Sequence, residues 1–237
     1  MIEPVLACLE KMADQCAAGQ ALDTRSAEQA LDVFRNFADR CHHGKEEDLL
    51  FPLIESKGFS REQGPPGVMP NEHQQGRRLV QAMANALGTA ASDADASRRS
   101  FIDPARDFVA RWREHIHKED HCLLPIANQA LTEPDQRQLV DSFEKVKRED
   151  LGHATLQRYG DLATESARRF GLEPVATTGQ CGHGGSYPEQ VQGRRRSFVP
   201  DASSKSVFQA AIRVTRMTCA PPLIGHGHGC THCEPAW

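Results

Sequence analysis

A repeated pattern of histidine, glutamate and proline is the feature of this sequence with the clearest chemical content. Residues 42–54 read HHGKEEDLLFPLI, and residues 115–127 read HIHKEDHCLLPIA. Overlaid without a gap, the two stretches share the pairs His42/His115, Lys45/Lys118, Glu46/Glu119, Leu50/Leu123 and Pro52/Pro125. Residues four apart lie on one face of a helix, so each repeat predicts an imidazole and a carboxylate on adjacent turns.

In both repeats this face coincides with the apolar stripe of an amphipathic helix. The two stripes run through Leu31, Phe34, Ala38, His42, Glu46, Leu49 and Leu53, and through Phe108, Trp112, His115, Glu119, Leu123 and Ile126. A buried glutamate without a partner is costly, and two of them in one core repel each other. A cation shared by both carboxylates removes this cost, so the repeat predicts a metal site.

A further histidine, His73, falls on the inner stripe of the third helical segment and adds an imidazole from another helix. Mixed imidazole and carboxylate ligation suits iron, and also manganese or zinc. Two carboxylates shared among so few histidines predict two metals bridged by carboxylate, about 3.5–4 Å apart. One such histidine alone is more often a satisfied, partly buried side chain than a ligand. The metal site is favoured because the histidine–glutamate pattern occurs twice, each time on the core-facing stripe of its helix.

The doubled residues leave a second register open. His43 and Glu47 have the same spacing as His42 and Glu46. The gapless overlay on His115 and Glu119, together with the cleaner stripe, favours the first pair.

Helical periodicity dominates residues 1–172, and four long amphipathic segments predict an all-α, up-down-up-down four-helix bundle. Ser26 is the predicted N-cap of the second helix, and Gly58 is its predicted C-terminal glycine. The Gly- and Pro-rich residues 58–70 are interpreted as a loop before a third helix over about 71–87. Asp103 and Pro104 are the predicted start of the fourth helix. A last helical stretch covers about 134–170.

Composition excludes several classes of function. The chain has 237 residues, of which 25% are charged, and its formal net charge is −4. No basic field therefore indicates nucleic acid or an anionic membrane. No signal peptide and no membrane-length apolar run is found, so we expect a cytoplasmic protein with reduced thiols. No nucleophile with a positioned base and no nucleotide fingerprint appears, which does not support a dedicated substrate enzyme.

Residues 173–237 are rich in Gly, Pro, Arg, Ser and His and are interpreted as a mostly disordered tail. The run HGHGCTHC at 226–233 contains Cys230 and Cys233, a weak candidate for a second metal site. An unstructured His- and Gly-rich end is the favoured interpretation.

The two repeats, together with NEHQQGR around His73, resemble the hemerythrin HHE cation-binding domain family over about residues 1–172. The resemblance implies a four-helix bundle with a non-haem di-iron centre, oxo- or carboxylate-bridged. Matched to the family motif, Glu46 and Glu119 are the bridging ligands. The full implied ligand set is His42, Glu46, His73, His115 and Glu119.

Two departures from the family pattern narrow what the resemblance implies. The family's first helix contributes an early histidine, whereas residues 1–20 contain none, and Arg77 stands where oxygen carriers have an extra histidine. The missing histidine is expected upstream of Met1; otherwise one metal rather than two is expected. The pattern favours the bacterial members linked to oxygen, nitric oxide, peroxide or iron sensing. The alternative is a non-redox regulatory or interaction bundle with an empty or single-metal site.

Overall fold

The computed structural model describes residues 2–60, 64–90, 95–150 and 152–172, and every regular element within these ranges is a helix. Two of the helices contain wider, π-helical turns. The six helices are α1 (Ile2–Ala17), α2 (Thr24–Asp32, π-helical Val33–His43 and Glu46–Leu50, then Phe51–Ser56), α3 (Pro65–Ala90), α4 (Asp95–Lys118, π-helical Glu119–Leu123, then Leu124–Ala130), α5 (Glu133–Asp150) and α6 (Gly152–Arg169). The predicted all-α fold is thus confirmed for this part of the chain. The predicted tail, with Cys230 and Cys233, lies outside the described residues.

Helices α1 to α4 pack consecutively, and α4 returns to contact α1, which closes a ring of four. Ion pairs across the α1–α4 interface show the direction of these helices. Arg106 contacts Asp14, whereas Arg113, further along α4, contacts Glu10, which comes earlier in α1. The two helices are therefore antiparallel, in agreement with the predicted bundle. Among the described residues, no helix is long and apolar enough to cross a membrane.

The interior consists of two apolar clusters with a polar layer between them. The first cluster joins α1 to the early parts of α2 and α4 and the later part of α3, and the second joins the opposite ends of α2, α3 and α4. Among the described buried residues, α1 contributes to the first cluster and α5, through Leu139 and Phe143, to the second. Helix α5 therefore covers the end of the bundle that α1 does not reach.

The boundaries of α2 follow local capping chemistry, with one correction to the sequence prediction. Ser26 is not the N-cap; the helix begins at Thr24, and the Asp23 carboxylate accepts hydrogen bonds from the Ser26 amide and hydroxyl. A carboxylate satisfies an orphan amide at a helix start as well as a hydroxyl does. Gly58, with φ of +95°, ends the helix as predicted.

Two predicted helix starts are wrong because proline was interpreted too strictly. Helix α3 begins at Pro65 rather than about residue 71, and α4 begins at Asp95 rather than at Asp103. Proline is tolerated in the first turn of a helix, where its missing amide has no partner anyway. Pro70 and Pro104 lie inside their helices, each at the loss of one backbone hydrogen bond.

Gly76 sets the close approach of α3 to α4. A Cβ atom at this position would lie 1.9 Å from Cη2 of Trp112, so the indole occupies the space that any larger residue would need. The indole in turn stacks on Phe108, with ring centroids 4.6 Å apart, and on His115, at 5.3 Å. One glycine therefore determines where an imidazole of the polar layer is held.

We predict that Gly76→Ala destabilises the protein by about 1–3 kcal/mol, because the added methyl group forces the indole out of its slot. Chemical denaturation, followed by helical circular dichroism, measures this change. Gly88→Ala in the same helix is the matched control, since nothing lies within 4 Å of its added Cβ atom. That variant should be neutral or slightly stabilising. Equal stability of the two variants would contradict the proposed role of Gly76.

Candidate metal centre

Three helices bring titratable side chains together in the polar layer. Each of these side chains lies in a residue that is no more than 3% exposed. They are His42, His43 and Glu46 of α2, His73 of α3, and His115 and Glu119 of α4. Two groups of three have donor atoms within 4.8 Å of one another: His42, Glu46 and Glu119, and His43, His73 and His115. The structure therefore brings together all five residues of the predicted ligand set, and with them His43 of the alternative register.

Each of the two buried glutamates faces two histidines from different helices. Glu46 places Oε1 3.9 Å from His42 Nε2 and Oε2 3.5 Å from His73 Nε2. Glu119 places Oε1 2.9 Å from His115 Nε2 and Oε2 3.6 Å from His42 Nε2. Each carboxylate thus spans two positions, one beside His42 and the other beside His73 and His115.

The outer nitrogens of His73 and His115 are held by carboxylates at the edge of the layer. His73 Nδ1 donates to Glu47 Oε1 at 2.7 Å, and His115 Nδ1 donates to Glu72 Oε2 at 2.8 Å. An ionised carboxylate only accepts hydrogen bonds, so the proton of each ring is on Nδ1. With Nδ1 held at the outside, the Nε2 atom of each ring faces the inner carboxylates.

Cations in turn hold the two outer carboxylates. Arg77 donates to Glu47 and to Asp39, and Lys118 donates to Glu72. Burial alone would raise the pKa of Glu72, but the hydrogen bonds from His115 and Lys118 outweigh it and lower the pKa to about 2. The hydrogen bond from His73, aided by Arg77, lowers the pKa of Glu47. Both carboxylates are thus ionised at neutral pH.

The inner nitrogens are suited to a cation. Within the described residues, the Nε2 atoms of His73 and His115 are buried without a hydrogen-bond partner, and the close contact from His115 to Glu119 lacks hydrogen-bond geometry. Burial lowers the pKa of His73, which keeps that imidazole neutral. The nitrogen lone pair of a neutral imidazole and a carboxylate oxygen repel each other unless a proton or a metal lies between them. Buried imidazole and carboxylate donors that share one space fit a divalent or trivalent metal.

His43 is buried in the same layer but has a different environment. Its ring stacks on His73, with centroids 3.9 Å apart and planes 11° apart, and its Nδ1 lies 3.3 Å from Asp39. An imidazole lone pair lies in the ring plane, and a metal lies about 2 Å from the nitrogen. Two parallel rings at this separation cannot both point at one metal. In this arrangement His43 and His73 do not share a metal.

The proline of each repeat coincides with a widened turn of its helix. The two π-helical turns are Glu46–Leu50 and Glu119–Leu123, at the same offset in both repeats. Pro52 and Pro125 lie at the second residue of the α-helical segment that follows. Proline lacks an amide hydrogen and crowds the carbonyl four residues earlier. A wider turn relieves this conflict, and π-turns are frequent at functional sites.

Three residues around the site were not predicted to take part in it: Glu72, Lys118 and Asp39, which form the outer polar contacts. The sequence signals were that Glu72 adjoins His73 and that Lys118 is shared by the two repeats. The shared lysines of the two repeats also differ: Lys118 is partly exposed and pairs with Glu72, whereas Lys45 is buried, with Nζ 5.5 Å from the Phe143 ring centroid. Identical residues at matched offsets therefore have different environments, because only one of them faces α5.

Helical bundles that bind metals build the site in the bundle core, from histidine and carboxylate side chains on facing helices. The polar layer of this bundle has the same arrangement. The sequence profile of the hemerythrin HHE cation binding domain matches residues 2–127, which is more than half of the 237 residues. The chain belongs to this family of cation-binding domains, and the predicted resemblance is confirmed.

Individual relatives are distant. An uncharacterised protein of Mycobacterium tuberculosis is 22% identical over 144 residues, which cover 61% of this chain and 56% of the relative. The iron-sulfur cluster repair protein YtfE of Edwardsiella ictaluri is 29% identical over 126 residues, covering 52% of this chain and 57% of the relative. YtfE of Dickeya chrysanthemi is 34% identical over 89 residues, covering 36% and 40%. The chain spans about half the length of these relatives, and no solved structure matches it.

We predict that Glu72 makes the metal-free protein sensitive to acid. Its pKa falls from 4.5 to about 2 on folding, so the stabilisation is complete above pH 4.5 and is lost as pH falls through this window. Each pKa unit corresponds to about 1.4 kcal/mol, which limits the contribution to roughly 3 kcal/mol. Urea denaturation of Glu72→Gln should show lower stability than the parent at neutral pH and a smaller loss on acidification.

Glu114→Gln, on the exposed side of the same neighbourhood, is the control and should follow the parent protein at every pH. If Glu72→Gln and the parent lost the same stability on acidification, the ion pair with His115 and Lys118 would not have the proposed effect.

Proposed function

We propose that this domain holds a non-haem di-iron centre that reacts with or senses a small ligand, such as oxygen, nitric oxide or peroxide, or reports iron status. The observation that carries the proposal is the position of the two buried glutamates. Each directs its two oxygens to histidines of different helices, which is the arrangement that a carboxylate bridge between two metals requires. A structural ion pair would need only one contact for each carboxylate.

In this proposal, His73 and His115 would hold one metal together with the carboxylates of Glu46 and Glu119. His42 would hold the other metal, together with the same two carboxylates. The first register of the sequence prediction, His42 with Glu46, is therefore retained, and the second pair, His43 with Glu47, is placed outside the ligand set. The choice follows from the stacking of His43 on His73 and from the 28% exposure of the Glu47 side chain.

Iron is the proposed metal because imidazole mixed with carboxylate suits it and because several relatives are named iron-sulfur cluster repair proteins. Bound iron would supply redox chemistry and an open coordination position. The chain's own residues bind and orient it. Glu47 and Glu72 fix the tautomers of His73 and His115, and such outer carboxylates typically strengthen metal binding 10–100-fold. A cytoplasmic location and the absence of a nucleic-acid partner stay predictions.

One observation favours a second candidate, a regulatory bundle with a single metal. The two positions are unequal, since one has two imidazoles, from His73 and His115, and the other has only His42. A metal at the first position alone would still be held by two carboxylates. Metal analysis and a visible absorption band from an oxo bridge distinguish one metal from two.

We predict that Glu46→Ala or Glu119→Ala strongly lowers the iron content of protein loaded without oxygen, because each change removes a ligand from both positions. Glu47→Ala should weaken iron binding about 10–100-fold at most, because it removes the hydrogen bond to His73 Nδ1 and the ion pair with Arg77 but no proposed ligand. Glu114→Ala, on the exposed surface, is the control and should bind iron like the parent. Full iron in Glu46→Ala with loss in Glu47→Ala would show that the other register is used.

Removal of the metal should destabilise the fold, because a ligand bound only to the native state stabilises it by mass action. At a hundredfold excess over the dissociation constant this amounts to about 2.7 kcal/mol, or several degrees in Tm for a domain of this size. Thermal unfolding before and after chelation measures the shift. An unchanged Tm after verified removal of the metal would count against a site in the core.

A further inference from the structure

A pair of exposed histidines on α4 lies outside the polar layer. His117 and His121 are four residues apart, so their side chains project from adjacent turns of one helix face. Their ring centroids are 4.0 Å apart, and the ring planes differ by 28°. In contrast, His115 and Glu119 of the same helix are buried in the interior. The exposed pair is therefore separate from the proposed metal centre.

A hydrogen bond to the backbone determines which nitrogen of His121 carries the proton. Nδ1 of this ring lies 2.8 Å from the carbonyl oxygen of His117. A carbonyl oxygen only accepts hydrogen bonds, so in the neutral ring Nδ1 carries the proton and Nε2 carries the lone pair. Histidines that bind metals typically donate their second ring nitrogen to a carbonyl or a carboxylate in this way. His121 is therefore held in the tautomer in which Nε2 can bind a metal.

Exposure distinguishes this pair from the two stacked rings in the core. The planes of His43 and His73 are 11° apart, and both residues are buried, which prevents their rings from turning. An exposed side chain changes its rotamer within nanoseconds. Rotation of His117 and His121 can therefore bring both in-plane lone pairs to one point beside the helix. Two histidines four residues apart on one helix face are a recognised arrangement for binding a single zinc ion.

We propose that His117 and His121 form a second metal site, which holds one divalent transition-metal ion through two imidazole nitrogens, with water completing the coordination. Imidazole ligands suit zinc, copper and nickel, and zinc is the ion chosen for the test. Lys118 lies between the two histidines in sequence, but its ammonium group pairs with Glu72 of α3. The site is independent of the proposed function, because it uses neither the buried donors nor their outer carboxylates.

Calorimetric titration of the full metal-free chain with Zn²⁺ tests this site. His117→Ala and His121→Ala should each bind one zinc ion fewer than the parent, because a single exposed imidazole holds an ion weakly. Loss of an outer partner of a ligand typically costs 10–100-fold in affinity, so loss of a ligand itself should weaken this site by about tenfold or more. The buried donors, Cys230 and Cys233 are the same in every variant, so zinc bound elsewhere contributes equally to each titration.

Cys122→Ser is the matched control, because Cys122 adjoins His121 and carries a partly exposed free thiol that could also bind zinc. This variant should bind as many zinc ions as the parent, with the same affinity. A second measurement is NMR of the histidine rings, in which the ring-proton signals of His117 and His121 should shift together as zinc is added. Helical circular dichroism confirms that each variant is folded.

Equal zinc binding by the parent and both histidine variants would overturn the proposal. The same loss in Cys122→Ser as in His121→Ala would also overturn it, since the thiol would then be a ligand. Ring signals of His117 and His121 that do not move with added zinc would reject the site as well. These outcomes leave the centre in the core untouched, because that centre is tested with iron and with the variants of Glu46 and Glu119.

Discussion

Two carboxylates inside a helical bundle are the constraint on which the rest of this structure depends. Glu46 and Glu119 are each no more than 2% exposed and share one space with three imidazoles. Burial of such a charge costs several kcal/mol unless a partner is supplied. The cation proposed for this site would be shared by both glutamates and would offset the cost of burying them together.

The surroundings of this layer follow from the same constraint. Apolar clusters above and below it exclude water, which strengthens every electrostatic contact between them. Glu47 and Glu72 hold the imidazoles from outside, and Arg77 and Lys118 neutralise those carboxylates in turn. Each of the two outer carboxylates is therefore paired with a cation as well as with an imidazole.

Packing also fixes the position of one proposed ligand. The glycine at position 76 admits the Trp112 indole between α3 and α4, and the indole then stacks on His115. A bundle with a larger residue at this position would need a wider spacing between the two helices and would lose this contact.

The sequence alone determined the all-helical class, the family, and the residues that converge, because helical periodicity and the repeated spacing are local properties. His42, Glu46, His73, His115 and Glu119 were named from the stripes they occupy, and the structure brings them together. Only the tertiary structure decided that His43 stacks on His73 and that Glu47 and Glu72 hold the outer nitrogens. These contacts join different helices. The spacing of residues within one helix does not determine how a neighbouring helix is aligned with it. The helix starts at Pro65 and Asp95 were missed for a local reason: Pro70 and Pro104 were interpreted as helix boundaries, whereas both lie inside their helices at the loss of one backbone hydrogen bond each.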